Sequence, residues 1–210
     1  MVHTIVIDPV SPNVLYTGTV TGVFNSTNRG RQWASTSSGV FRQDVFSLAV
    51  NPANPNILYA GSSSLYKSTD AGVNWVQVSL SPSGGRITSI AIDPSQPHIL
   101  YASSFGSVHR STDAGDHWTR LPVQTETQSF LVFAVAVAPS SPNIVYAATS
   151  FGGVFRSADR GATWSQINDG LLNLDTRSLA IDPLDANTVY VHKTPAARVR
   201  SRLNAARPCV

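Results

Sequence analysis

The chain has 210 residues, one of them a cysteine (Cys209), and only 13% are charged, against about a quarter in an ordinary soluble domain; an intrachain disulfide is excluded. Its net charge of +3 comes from residues 192–210, where Lys193, Arg198, Arg200, Arg202 and Arg207 stand without an acid. Of the 15 basic residues ten then remain against 12 acids, so the body is mildly acidic and carries no nucleic-acid footprint, and no apolar run approaches the ~20 residues of a membrane-spanning helix.

Met1-Val2-His3-Thr4-Ile5 runs directly into a predicted strand and leaves no room for a signal peptide. The phrase that follows, Ile7-Asp8-Pro9 to Pro12-Asn13-Val14-Leu15-Tyr16, recurs at residues 50–59, 92–101, 137–146 and 181–190. In the last copy Ala186 stands where the second proline is expected. A second phrase, Ser26 to Trp33, recurs at Ser68 to Trp75, Ser111 to Trp118 and Ser157 to Trp164. It holds all four tryptophans, spaced 42, 43 and 46 residues apart, a period that marks an array of one supersecondary unit.

Within a unit the apolar runs are short and bounded by turn residues. Leu48-Ala49-Val50, Ile57-Leu58-Tyr59-Ala60, Leu65-Tyr66-Lys67-Ser68 and Trp75-Val76-Gln77-Val78 read as four strands. Prolines in every unit exclude helical repeats, and four strands per 42–46 residues predict an all-β fold of propeller blades. The expected blades are residues 2–43, 44–85, 86–129 and 130–175, with the opening two strands of a fifth at 176–191. The unit begins five times and reaches its tryptophan four times. The expectation is an open or incomplete ring, a piece of a longer propeller or one that pairs with a second copy. The tail, residues 192–210, is expected to be disordered or aberrant.

The second phrase has a mechanical reading. Its acid (Asp70, Asp113, Asp159; Asn28 in the first copy) starts a turn and accepts backbone N–H groups. Gly30, Gly72, Gly115 and Gly161 follow where a positive φ is expected. Ser26, Ser68, Ser111 and Ser157 close a local hydrogen bond, and Trp33, Trp75, Trp118 and Trp164 fold their rings back over the hairpin. The pattern S-x-D-x-G-x-x-W after paired strands resembles the Asp-box, or BNR repeat, of sialidases, xyloglucan-hydrolysing glycoside hydrolases, the sortilin ectodomain and photosystem II assembly factors. The resemblance covers roughly residues 2–191. It implies a β-propeller whose boxes are structural hairpins away from the active face, and an extracellular or cell-surface setting. It leaves the activity open, since one fold hosts many functions.

In an antiparallel meander, alternate connections share a face. The Pro-rich and Asp-box turns therefore form a repetitive face, and the remaining turns and inter-blade links form a variable one, where a ligand is expected. That face offers Phe41, Arg42, Asp44, Arg86, Phe105, Glu126, Phe151, Asp169, Asp175 and Arg177. Aromatic rings beside arginines and carboxylates suit a glycan or a protein ligand. A glycosidase needs two carboxyl groups facing one bond, and the acids here belong to different blade junctions. The Arg-Ile-Pro segment of sialidases is missing, and Arg120-Leu121-Pro122 stands in the wrong place. His109 fills a slot held elsewhere by Phe24, Tyr66 and Phe155, and His3, His98, His117 and His192 show no ligand spacing. The expectation is a non-catalytic binding or scaffold module without metal or cofactor; the alternative is a piece of a sialidase- or xyloglucanase-type hydrolase.

Overall fold

The computed structural model describes residues 1–36, 43–78, 80, 85–104, 106–123, 130–193 and 201–204. Their regular structure is all strand, in five antiparallel sheets. Blade 1 comprises β1 (Val2–Ile7), β2 (Leu15–Thr19), β3 (Gly22–Ser26) and β4 (Ala34–Ser35); blade 2 comprises β5 (Ser47–Val50), β6 (Leu58–Gly61), β7 (Leu65–Ser68) and β8 (Val76–Val78). Blade 3 holds β9 (Ser89–Ile92), β10 (Leu100–Ser104), β11 (Ser107–Ser111) and β12 (Thr119–Pro122), and blade 4 holds β13 (Val132–Val137), β14 (Val145–Thr149), β15 (Gly153–Ser157) and β16 (Ser165–Gln166). Blade 5 has three strands, β17 (Thr176–Ile181), β18 (Thr188–Lys193) and β19 (Ser201–Asn204). Every blade is a meander in chain order. The first strands β1, β5, β9, β13 and β17 neighbour one another in sequence, so the blades form an arc, and no sheet among the described residues closes it.

Blade 5 differs from expectation. Its third strand lies in the tail that was expected to be without structure, and it pairs with β18 through Tyr190↔Arg202 and Val189↔Leu203. In the sequence, residues 198–203 alternate arginine with Val, Ser and Leu. This is a period-two pattern masked by its charge.

The two repeated phrases make one structural face. Asp8 Oδ1 accepts the N–H groups of Val10 and Ser11 at 2.8 and 2.9 Å. Asn51 and Asp93 do the same in blades 2 and 3. In each box the serine Oγ accepts the glycine N–H at 2.7–2.9 Å and donates to the acid or its Asn28 substitute. The residue before each glycine is also left-handed, with φ of 58–61° at Arg29, Ala71, Ala114 and Arg160. A side chain there is strained. The N–H of that residue donates to Asn13, Asn56, His98 or Asn143 of the Pro-rich turn at 2.8–2.9 Å, which clamps both turns together on one face.

Adjacent blades are joined through the turns of this face, by boxes in blades 3 and 4 and by the turn at 185–187 in blade 5. The hydroxyl of Tyr59 donates to Ala114 O in the next blade at 2.7 Å, and Tyr101 reaches Arg160 O at 3.4 Å. Tyr146 reaches Ala186 O of blade 5 at 2.8 Å. All three tyrosines are fully buried, and each buried ring contributes about 2–3 kcal/mol. Third-strand cations cross the same junctions: Lys67 to Asp116 at 2.9 Å, Arg110 to Arg160 O at 3.0 Å and Arg156 to Asn187 at 3.4 Å. The tryptophans lie over their own box glycines, and two of them share an apolar cluster with a tyrosine of the preceding blade, Trp75 with Tyr16 and Trp164 with Tyr101.

This geometry predicts unequal costs for one substitution. Both Gly30 and Gly115 have positive φ, but a Cβ on Gly115 would sit 3.0 Å from Tyr59 Cε1, whereas on Gly30 it meets only Trp33 at 3.6 Å. Gly30→Ala should cost about 1 kcal/mol and Gly115→Ala about 2–3 kcal/mol by urea denaturation. Equal losses would show that the box is not a blade junction.

A second prediction concerns acid. His109 on β11 is fully buried, its Nε2 3.0 Å from Ser104 Oγ and 3.2 Å from Ser107 Oγ. Burial, helped by Arg120, pushes its pKa down to about 4. The folded value lies below the unfolded one, so the unfolded chain binds the proton first. The stability is fully present above pH 6.5 and is lost as pH falls toward 4, with a limiting slope of about 1.4 kcal/mol per pH unit. His109→Phe, which restores the residue type of Phe24 and Phe155, should flatten that interval in unfolding titrations. An unchanged slope would contradict a buried neutral imidazole.

Candidate functional site

Links between blades and the second-to-third-strand turns are bonded together on the other face. Val45 N–H donates to Thr19 O, Ile87 N–H to Ser62 O, Ser150 N–H to Leu131 O and Gly153 N–H to Leu174 O, all at 2.8–2.9 Å. One register position organises this face: the residue five before each Asp8, Asn51, Asp93, Ala138 and Asp182. It is occupied by His3, Phe46, Thr88, Phe133 and Arg177. Seven before the same landmarks stand Met1, Asp44, Arg86, Leu131 and Asp175.

These residues touch across the blade junctions. The Arg86 guanidinium lies 3.4 Å from the centre of the Phe46 ring, and His3 packs on the same phenylalanine at 5.2 Å between centroids. His3 Nε2 is also 3.8 Å from Asp44 Oδ1. In blade 3, Thr88 Oγ1 donates to Val132 O of blade 4 at 2.6 Å. Arg177 of blade 5 lies 3.9 Å over the Phe133 ring of blade 4 and bonds the buried Asp175 at 2.9 Å. Stacking holds each guanidinium plane fixed and desolvates one side of it, which strengthens its remaining interactions.

Of the expected site residues, Asp44 and Arg86 thus gather around Phe46, and Asp175 and Arg177 around Phe133. Phe151 stands apart in the turn between β14 and β15, with its ring 74% exposed and φ at 60°. An exposed bulky residue in that conformation costs about 1–3 kcal/mol. Asp169 is exposed in the link to blade 5. Phe41, Arg42, Phe105 and Glu126 lie outside the described residues. Sequence reasoning missed His3, Phe46 and Phe133, because the loops were searched and not the register position at the entrance to each first strand. Counting back from the Asp-Pro phrase finds all three.

The boxes carry the most perturbed carboxylates, for structural reasons. Hydrogen bonds from Thr163 and Ser157 bring Asp159 down to about 2, and bonds from His117 and Ser111 hold Asp113 well below the usual range. The residue before each tryptophan has a role that its variable identity conceals: Asn74, His117 and Thr163 each place a side-chain atom 2.6–2.7 Å from the second oxygen of the box acid. Ser104, Ser107 and His109 form a serine–histidine cluster, but all three are buried, which denies a substrate access. Among the described residues no group of three or more His, Cys, Asp or Glu is placed to hold a metal, and no helix is long and apolar enough to cross a membrane.

No protein-family model and no curated protein matches the chain. Among solved structures it is similar to an ancestral GH74 enzyme, with 26% identity and a TM-score of 0.80 over 90% of this chain and 27% of that one. The GH74 xyloglucanase from Xanthomonas campestris follows at 24% identity and TM-score 0.74, covering 89% of this chain and 34% of that one. The extracellular domain of a one component system from B. thetaiotaomicron aligns at 17% identity and TM-score 0.70, over 90% and 25% of the two chains. The chain therefore spans about a third or less of the length of these proteins. Its fold is that of the β-propellers, and its four boxes are consistent with the Asp-box superfamily.

Proposed function

We propose that the chain is a non-catalytic binding module of an extracellular repeat protein, one arc of a larger propeller, that receives a glycan or protein ligand on the variable face. The observation that carries this reading is the pair of arginine–phenylalanine stacks, Arg86 on Phe46 and Arg177 on Phe133. Flat apolar rings with fixed guanidinium edges match the alternating apolar and hydroxylated or carboxylated surfaces of sugars and acidic peptides. The exposed Phe151 adds a third ring, held in a strained turn. An ordered aromatic loses little freedom when a ligand stacks on it.

A second reading, a piece of a GH74-type hydrolase, is favoured by the 26% identity to the ancestral enzyme. Here Asp44 and Asp175 supply carboxylates on the variable face, with His3 and Arg177 at 3.8 and 2.9 Å. General acid–base work on a glycoside requires two carboxyl groups facing one bond, and Asp44 and Asp175 stand at the entrances of different blades, before β5 and β17.

Titration of the chain with xyloglucan oligosaccharides and sialosides by calorimetry, together with turnover assays on the same compounds, separates the two readings. The binding module predicts saturable binding that weakens about tenfold in Arg177→Ala and Phe133→Ala, without turnover. Turnover that disappears in Asp175→Asn would establish the hydrolase reading instead.

A further inference from the structure

Among the described residues, Phe151 is the one non-glycine outside the boxes with a positive φ, at 60°. In the boxes this conformation serves the junctions between blades. Phe151 has no such duty, since it is 74% exposed at the tip of the turn between β14 and β15. Blade 4 has blades 3 and 5 on its two sides, so the exposure belongs to the turn and not to an end of the arc. Glycine would hold the same backbone at lower cost. A bulky residue kept in this region marks strain retained for function.

The frame around the turn enforces that strain. Ser150 N–H donates to Leu131 O at 2.9 Å, and its Oγ accepts the Leu131 N–H at 3.2 Å. Gly152 O accepts Asn168 Nδ2 at 2.9 Å and Gln166 Nε2 at 3.1 Å. Gly153 O accepts the hydroxyls of Thr149 and Thr176 at 2.9 and 2.8 Å, and Thr176 Oγ1 also accepts the Thr149 N–H at 3.1 Å. Both threonines are fully buried. Thr176 stands between Asp175 and Arg177, so one hydroxyl ties the turn to the strand whose Arg177 covers Phe133. A ring fixed in this way loses little freedom when a ligand stacks on it.

The surroundings of the ring select the ligand. Its apolar surface is a single side chain, bordered by the amides of Gln166 and Asn168 that bond the next residue. A stable protein partner buries roughly 800 Å² on each side around an apolar core. One ring in a polar border matches instead the C–H face of one sugar ring, whose hydroxyls meet the amides. The charge of Arg177 is balanced by Asp175 at 2.9 Å, so the neighbouring guanidinium offers hydrogen bonds without a net attraction for anions.

We propose that the turn at residues 150–152 is a preloaded glycan platform, on which Phe151 takes the apolar face of one pyranose unit of a neutral oligosaccharide. The proposal rests on the binding-module reading and narrows its ligand to a neutral glycan at the junction of blades 4 and 5.

Calorimetric titration with cellopentaose, xylopentaose and mannopentaose, with urea unfolding of the same variants, tests it. At least one of the three sugars should bind saturably. Phe151→Gly should weaken that binding at least about tenfold while leaving the urea midpoint unchanged or higher, because glycine adopts the turn without strain. Phe151→Trp should keep the affinity. A ring that serves only the fold does not lose affinity without losing stability. No binding by any of the three sugars, binding undiminished in Phe151→Gly, or a lowered midpoint in that variant would each overturn the proposal. Binding of a sialoside alone would also overturn it, yet leave the binding-module reading in place. Affinity lost in Phe151→Gly but kept in Phe133→Ala would support the platform and count against the arginine–phenylalanine stack as the seat of the ligand.

Discussion

A tyrosine on the second strand of one blade, buried against the Asp-box turn of the next, is the contact on which the arc depends. A single blade has two apolar faces and only four short strands, and such a sheet has little stability alone. Burying Tyr59 and Tyr101 satisfies both requirements of the junction: the ring removes apolar area from water, and the hydroxyl finds a carbonyl in the neighbouring turn. That carbonyl belongs to a left-handed residue, Ala114 or Arg160. The strained conformation therefore turns an acceptor outward toward the preceding blade. Strain inside the turn and cohesion between blades are two sides of one geometry.

This requirement explains why the box is so uniform and so polar. Serine, acid and glycine hold the turn from within, the residue before the tryptophan engages the second carboxylate oxygen, and the Pro-rich turn clamps it from the side. One whole face is thereby committed to structure. The opposite face has no such duty, and its first-strand entrances carry unlike residues, His3, Phe46, Thr88, Phe133 and Arg177, at one register position. Variation at a fixed place on a rigid frame is where binding specificity can be written without loss of fold.

Much of this was legible in the sequence because repetition exposes it. Four tryptophans at near-constant spacing announce the blades, and the glycine two places after each box acid announces a positive φ. The left-handed residue before that glycine was hidden, since Arg29, Ala71, Ala114 and Arg160 carry no turn signature of their own. The third strand of blade 5 was hidden by arginines that read as a charged tail. The variable face was legible only as a list of loops. Phe46 sits just before β5 and Phe133 just inside β13, and their arginine partners come from neighbouring blades, a proximity that no linear pattern reveals.

The dependence of the arc on its tyrosine junctions is tested most directly by comparing Tyr101→Ala with Tyr190→Ala in urea unfolding. The structure predicts a loss of about 3–5 kcal/mol for Tyr101, fully buried between blades 3 and 4, and a loss below about 1 kcal/mol for the half-exposed Tyr190. Equal losses at the two positions would contradict it.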